Sequence, residues 1–261
     1  MSEYAVLGII GLIILTTHFQ EAITGFGCTA LALPFVLLLV DLDTAVKSLC
    51  IMAWLLAFWL VIIARKDIIW KEYWHIVIPM AIGLVIGILI KDRVSEYWLK
   101  WVLAVFMTIV GIRGVLMKPN EVSDKPGMSR TARLLYGGFV PAGGLMQGIF
   151  ASGGPLLVIY ATKALPRKGI FRVTLCMVWT TINAILITQW AVRGMLNDVH
   201  VWKIVAVGIP FSMLGMVLGN RAHHRVNEFN FRRIVYAVLV LSGIILAYPL
   251  VPKLSAVLPG H

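Results

Sequence analysis

Gln20-Glu-Ala-Ile-Thr-Gly-Phe-Gly-Cys-Thr29, followed by Pro34, and Gly143-Gly-Leu-Met-Gln-Gly-Ile-Phe-Ala-Ser-Gly-Gly-Pro155 are glycine clusters set inside long apolar runs. Glycine tolerates positive φ and proline removes a backbone donor, so both stretches are suited to interrupt a helix. The runs that hold them, 5–40 and 134–161, exceed a single membrane crossing. Six other hydropathic peaks, at 46–64, 73–90, 97–117, 173–192, 201–219 and 234–252, match one helix each, given a hydrocarbon core about 30 Å thick. The reading is an all-α polytopic membrane protein with eight peaks, the first of each half being split into two short broken helices.

Composition supports a bilayer as the solvent. Of 261 residues, 60% are hydrophobic and 13% charged, against roughly 45–50% and about 25% in soluble domains. The net charge of +11 does not point to nucleic acid, because the basic residues fall in short segments between apolar runs. Met1-Ser2-Glu3-Tyr4 offers no basic leader, so the first run is read as a retained segment rather than a signal peptide. Cys28, Cys50 and Cys176 lie in apolar stretches without a CxxC pair or a histidine at ligand spacing, which argues against a disulfide framework, a metal site or a cofactor.

The chain divides into a first transmembrane repeat (1–117), a polar linker (118–133) and a second repeat (134–261). Gly83-Leu-Val-Ile-Gly87 aligns with Gly215-Met-Val-Leu-Gly219 at an offset of 132, where Arg93-Val94 also meets Arg225-Val226 and Gly111-Ile112 meets Gly243-Ile244. Earlier in each half Lys47 meets Arg172 and Trp54 meets Trp179 at an offset of 125, and Gln20 meets Gln147 and Gly27 meets Gly154 at 127. Two orientations of the halves are open. If each long peak crosses once, the halves are parallel and the Lys/Arg residues divide evenly. If each doubles back, the halves are inverted, and segments 65–72, 113–133, 161–172 and 220–233 share a face holding 16 of the 23 Lys/Arg. The positive-inside rule favours the inverted arrangement with both termini outside. Such halves commonly enclose a transporter's substrate site.

Backbone broken at membrane depth survives where protein buries it or a watery cavity solvates it. A resumed half-helix offers free N–H groups and the positive end of its dipole, an anion site; the other reading of the glycines is close helix packing. His18 and Glu21 share a helix face about 21 Å along the first helix. An ionisable pair at that depth suggests proton or ion coupling, and a pair merely solvated in an interface or cavity is the alternative. Gln20 and Gln147 are suited either to bond substrate oxygens or to tie the broken helices. Thr180, Thr181, Asn183 and Gln189 read as interhelical hydrogen-bonding groups. Trp70, Trp74, Trp98, Trp101 and Trp202 read as interfacial anchors, and His75, His200, His223 and His224 as edge residues.

Thr24-Gly-Phe-Gly27 with Pro34, Ser152-Gly-Gly-Pro155 with Tyr160, and Phe171-Arg-Val-Thr-Leu175 together resemble the TauE/SafE family of sulfite and organosulfonate transporters. The resemblance spans nearly the whole chain, though Cys28 and Thr29 stand where the glycine-richest form of the first motif has further glycines. It implies movement of a small anion (a sulfur oxyanion, a sulfonate or a related carboxylate) across a bacterial inner membrane. The expected pocket is shaped by Gly25, Phe26, Gly27, Ser152, Gly153 and Gly154. Gln20, Thr24 and Gln147 would supply polar contacts, Lys47 and Arg172 charge, and His18 and Glu21 coupling. Arg172 is suited to forked binding of sulfonate or carboxylate oxygens, with snorkelling to the interface as the competing role for both cations. The alternatives are an anion channel, a membrane subunit without transport of its own, and an intramembrane enzyme; paired carboxylates, HExxH and a Ser/His constellation are all absent from the spans.

Overall fold

The structure, a computed structural model, describes residues 2–116, 130–165, 168–222 and 228–250. It is all-helical among the described residues. Eleven helices run in the order α1 (Glu3–Thr24), α2 (Cys28–Val36), α3 (Leu42–Ala64), α4 (Trp70–Lys91), α5 (Glu96–Leu116), α6 (Arg130–Gly137), α7 (Phe139–Phe150), α8 (Gly154–Ala164), α9 (Lys168–Val192), α10 (Val199–Ala222) and α11 (Glu228–Ala247). Six of them are long and apolar enough to cross a membrane: α1, α3, α4, α5, α9 and α10. Most of the linker 118–133, and Arg225, Val226, His223 and His224, lie outside the described residues.

Both over-long peaks are interrupted at their glycines. Helix α1, capped at its start by Ser2, ends at Gly25, whose φ of 83° is left-handed, and Gly27 at φ 99° opens α2. Helix α7 ends at Ala151, a residue with a side chain held at φ 51°, and α8 begins at Gly154 with Pro155 in its first turn. A left-handed residue just after a helix closes the last turn without extending it. The second peak has one more joint, a near-helical Gly138 that links α6 to α7.

The helices pair across the two halves. Helix α1 packs on α10 and α7 on α4, while α3 packs on α9 and α5 on α11. Gly83, Gly87, Gly215 and Gly219 sit at the first two crossings. A Cβ on Gly83 or Gly87 would strike the backbone of α7 at Pro141 or Leu145, and one on Gly144 or Gly148 would strike α4 at Met80 or Leu84. On the other side Gly215 and Gly219 lie against Leu15 and Phe19 of α1. These are close backbone crossings of the small-xxx-small kind. The packing role of glycine therefore holds for Gly144 and Gly148, whereas Gly25 and Gly27 serve a backbone turn.

Ion pairs mark two ends of the bundle. Glu3 pairs with Lys203 at 2.6 Å, and Glu3, Val40, Asp41 and Thr44 line one small cleft, so α1 and α2 start and finish at the same end. Lys91 reaches Asp43 at 3.2 Å there, and Arg193 reaches Asp92 at 3.1 Å. At the other end Glu72 binds Arg133 of α6 at 2.7 Å and accepts from the Tyr160 hydroxyl of α8 at 3.2 Å. The unit α6–α8 thus also starts and finishes at one end, opposite to that of α1–α2. Between the ends, Ile62, Ile63, Ile78, Ile82, Val85 and Ile109 are exposed. In water this would be an aggregating surface; in lipid it is the boundary. Trp70, Trp74, Trp98 and Trp202 are exposed near helix ends, where interfacial anchors belong.

Candidate functional site: two helix breaks that meet

The two breaks abut. A Cβ built on Gly154 would lie 3.7 Å from the Gly27 nitrogen, 3.8 Å from Phe26 and 3.7 Å from the Trp179 ring. Helix α9 passes beside them and braces both. Its Trp179 indole N–H donates to the Gly25 carbonyl at 3.1 Å, and its Asn183 side-chain oxygen accepts from Gln147 at 2.6 Å. The breaks enclose a buried cavity of about 20 Å³, room for one water-sized occupant, lined by Glu21, Gly27, Thr29, Gln147, Ser152, Gly154, Trp179 and Asn183.

Each break is held by a glutamine, in opposite ways. Gln20 donates to the Thr24 hydroxyl at 2.7 Å and to the Phe26 carbonyl at 3.0 Å, and the Thr24 hydroxyl also reaches Phe26 at 3.1 Å. Gln147 instead accepts from the Gly153 N–H at 2.7 Å. The buried amide oxygen of Gln20 and the hydroxyl of Ser152 have no hydrogen-bond partner. An unpaired polar atom in such a place costs roughly 1–3 kcal/mol, so Ser152, which faces the cavity, is poised for a ligand or a water.

The electrostatics of the two half-helix starts differ. The Glu21 carboxyl group accepts from the Cys28 N–H at 2.6 Å and so caps the start of α2 from within the chain. At the matching place in the second half, 127 residues on, stands Gly148. The start of α8 has no side-chain cap among the described residues; Ser152, Gln147 and Asn183 line the cavity beside it, together with Thr29 and Glu21 from the first break.

The remaining expected residues are dispersed. Arg172 donates to the Ala22 carbonyl at 2.8 Å and to Asn220 at 3.0 Å, and its Cα sits where a Gly25 side chain would be. It braces the tip of α1 without lining the cavity. Lys47, its sequence counterpart, pairs with Asp43 one turn before it, at the opposite end of the bundle. His18 is buried in α1 with Nδ1 2.9 Å from the Ile14 carbonyl and Nε2 unpartnered, and it does not line the cavity. The Phe26 ring packs edge-on against Phe171 at 6.4 Å. Trp179 and Thr29 line the cavity although neither is among the site residues expected from sequence, and Asn183, expected as a helix-bridging group, lines it as well. Its spacing from Trp179, four residues on one helix face, is the signal that groups them. No cluster of potential metal ligands occurs among the described residues.

The family model described as Sulfite exporter TauE/SafE matches residues 9–246. A probable inner membrane transporter protein TsaS of Comamonas testosteroni is 25% identical over 179 residues, covering 69% of this chain and 72% of the relative. A probable sulfite/organosulfonate exporter TauE of Cupriavidus necator is 26% identical over 183 residues, covering 67% and 69% respectively. No solved structure gives a significant match. With its membrane-crossing helices, its paired glycine breaks and a family match over most of its length, the chain belongs to the sulfite exporter TauE/SafE family of membrane transporters.

Proposed function

We propose that this protein is a secondary transporter of small anions, sulfite or organosulfonates or related organic acids, in the inner membrane of a bacterium. Two inverted repeats, 1–117 and 134–261, enclose the site and alternate its access. Support for the inversion comes from the reciprocal pairing of α1 with α10 and α7 with α4, and from the opposite ends at which α1–α2 and α6–α8 start and finish. The anion binds at the start of α8. The Gly154 N–H and the Ser152 hydroxyl receive it, with Gly153, Gln147, Thr29 and Asn183 around it, while Gly25, Phe26 and Gly27 form the facing wall. Gln20, Thr24 and Arg172 hold that wall in shape.

The observation that carries this reading is the unpartnered Ser152 hydroxyl at an uncapped helix start, inside a cavity shared by both breaks. Glu21 lines the same cavity. Two negative charges in one buried space repel strongly, so anion binding and proton uptake by Glu21 are linked, with His18 one turn away. The cavity is too small for a sulfonate as it stands, so the breaks part when substrate enters. A panel of sulfite, sulfoacetate, isethionate, taurine and simple carboxylates, screened by thermal stabilisation of the detergent-purified protein, tests the reading. A bound anion raises stability by mass action. Stabilisation by cations or neutral solutes alone would contradict it. Saturable uphill uptake in proteoliposomes then separates a transporter from a channel.

A further inference from the structure

Helices α2 and α8 follow the two breaks in matching places, yet their surroundings differ. Helix α2 packs along α11, whereas α8 has no comparable packing on α5 among the described residues. A groove of about 800 Å³ opens there, between α5, α6, α8 and α11. Pro155, Ile159, Thr162 and Lys163 of α8 form one wall, and Arg113 of α5 and Tyr136 of α6 face them.

We infer that this groove is the path by which the anion reaches the cavity from the Lys/Arg-rich end, with Arg113 and Lys163 gathering it at the mouth. The inference rests on the anion-transporter reading above. Three observations carry it. The groove is lined by Pro155, the residue next to Gly154, which lines the cavity itself. Among the described residues two cations and no carboxylate line it, and a cleft of one sign with apolar walls concentrates counter-charged solutes. Arg113 lies over the Phe139 ring at 5.3 Å, which fixes the guanidinium at the wall. Its volume is that of a small-molecule site, and the matching place beside α2 is closed. A site reached from one end only is what alternating access requires.

An anionic phospholipid is the competing occupant, with its chains along the exposed Ile109 and Ile112. Thiol labelling separates the two. Ile159→Cys in inside-out vesicles should react with membrane-impermeant charged thiol reagents, several-fold faster with a negative reagent than with a positive one. That preference should vanish when Arg113→Gln and Lys163→Gln are added. Ala32→Cys, 127 residues earlier in the matching helix and fully buried, should stay unlabelled. The wild-type protein, whose three cysteines are buried, sets the background, and Ile112→Cys is a second reporter should Ile159→Cys fold poorly. Both reporters unreactive to charged reagents, or equal rates for the two signs, overturn the path. So does an anionic phospholipid that copurifies with the wild type and is lost from the Arg113→Gln, Lys163→Gln variant. Labelling requires no substrate, so a dry groove would defeat this inference while leaving anion-induced stabilisation untouched.

Discussion

The first break and the second break solve one problem with different residues. Both close a helix with a left-handed residue, but the first uses Gly25 at φ 83° and the second uses Ala151 at φ 51°. Both restart a helix beside a glutamine, but Glu21 caps the first restart and nothing charged caps the second. The first break is also the more heavily braced, by Gln20, Thr24, Trp179 and Arg172. On the function proposed above the two breaks divide the labour: one is a wall that carries its own carboxyl group, and the other receives the anion.

The largest expected effect lies in the backbone of the first break. Gly25→Val would place a β-branched residue at positive φ with its Cβ 2.7 Å from the Arg172 Cα, which should cost at least ~3 kcal/mol. A large fall in melting temperature and in folded yield checks it. Ala151→Gly at the matching turn should shift stability by no more than about 1 kcal/mol, because the left-handed strain it relieves offsets the lost side chain. Equal effects at the two sites would erase the contrast.

Next in size is the charge difference. With isethionate, whose sulfonate stays ionised, wild-type affinity should tighten as pH falls, since protonating Glu21 removes the competing charge. Glu21→Gln should bind with wild-type strength at low pH and lose the pH dependence. A pH profile that survives this variant removes Glu21 from coupling.

Smaller effects belong to the open restart. Ser152→Ala should weaken anion binding by about 10-fold, the worth of a hydrogen bond to a charged group, with little change in the melting temperature of the unliganded protein. Gly154→Ala has room, its nearest neighbour being 3.7 Å away, so it should fold normally. Its methyl group intrudes on the cavity and should weaken binding only a few-fold.

The membrane class and the places of the breaks were legible because they rest on local chemistry: long apolar runs, and glycine with proline inside them. The spacing of the helix-crossing glycines Gly83, Gly87, Gly215 and Gly219 was legible, but their partners were not, since a crossing depends on which helix arrives. Lys47 and Arg172 match in sequence yet sit with Asp43 and with Ala22 and Asn220 respectively. The inverted reading places such positions at opposite ends of the bundle, but sequence equivalence could not name the partners each would meet there. Trp179 and Asn183 escaped for a related reason: the face of α9 that meets the breaks is set by tertiary packing. That Glu21 serves as a cap was also hidden, because the turn that returns Cys28 to it is a product of two left-handed glycines.

The proposed anion site lies at the start of α8, at Ser152. A thermal-shift titration of the wild-type and Ser152→Ala proteins with sulfite and isethionate tests it most directly. Stabilisation of the wild type by about 2.7 kcal/mol at a hundredfold excess over Kd, with the Ser152→Ala curve displaced about 10-fold to higher concentration, is the predicted result. Superimposable curves for the two proteins would contradict it.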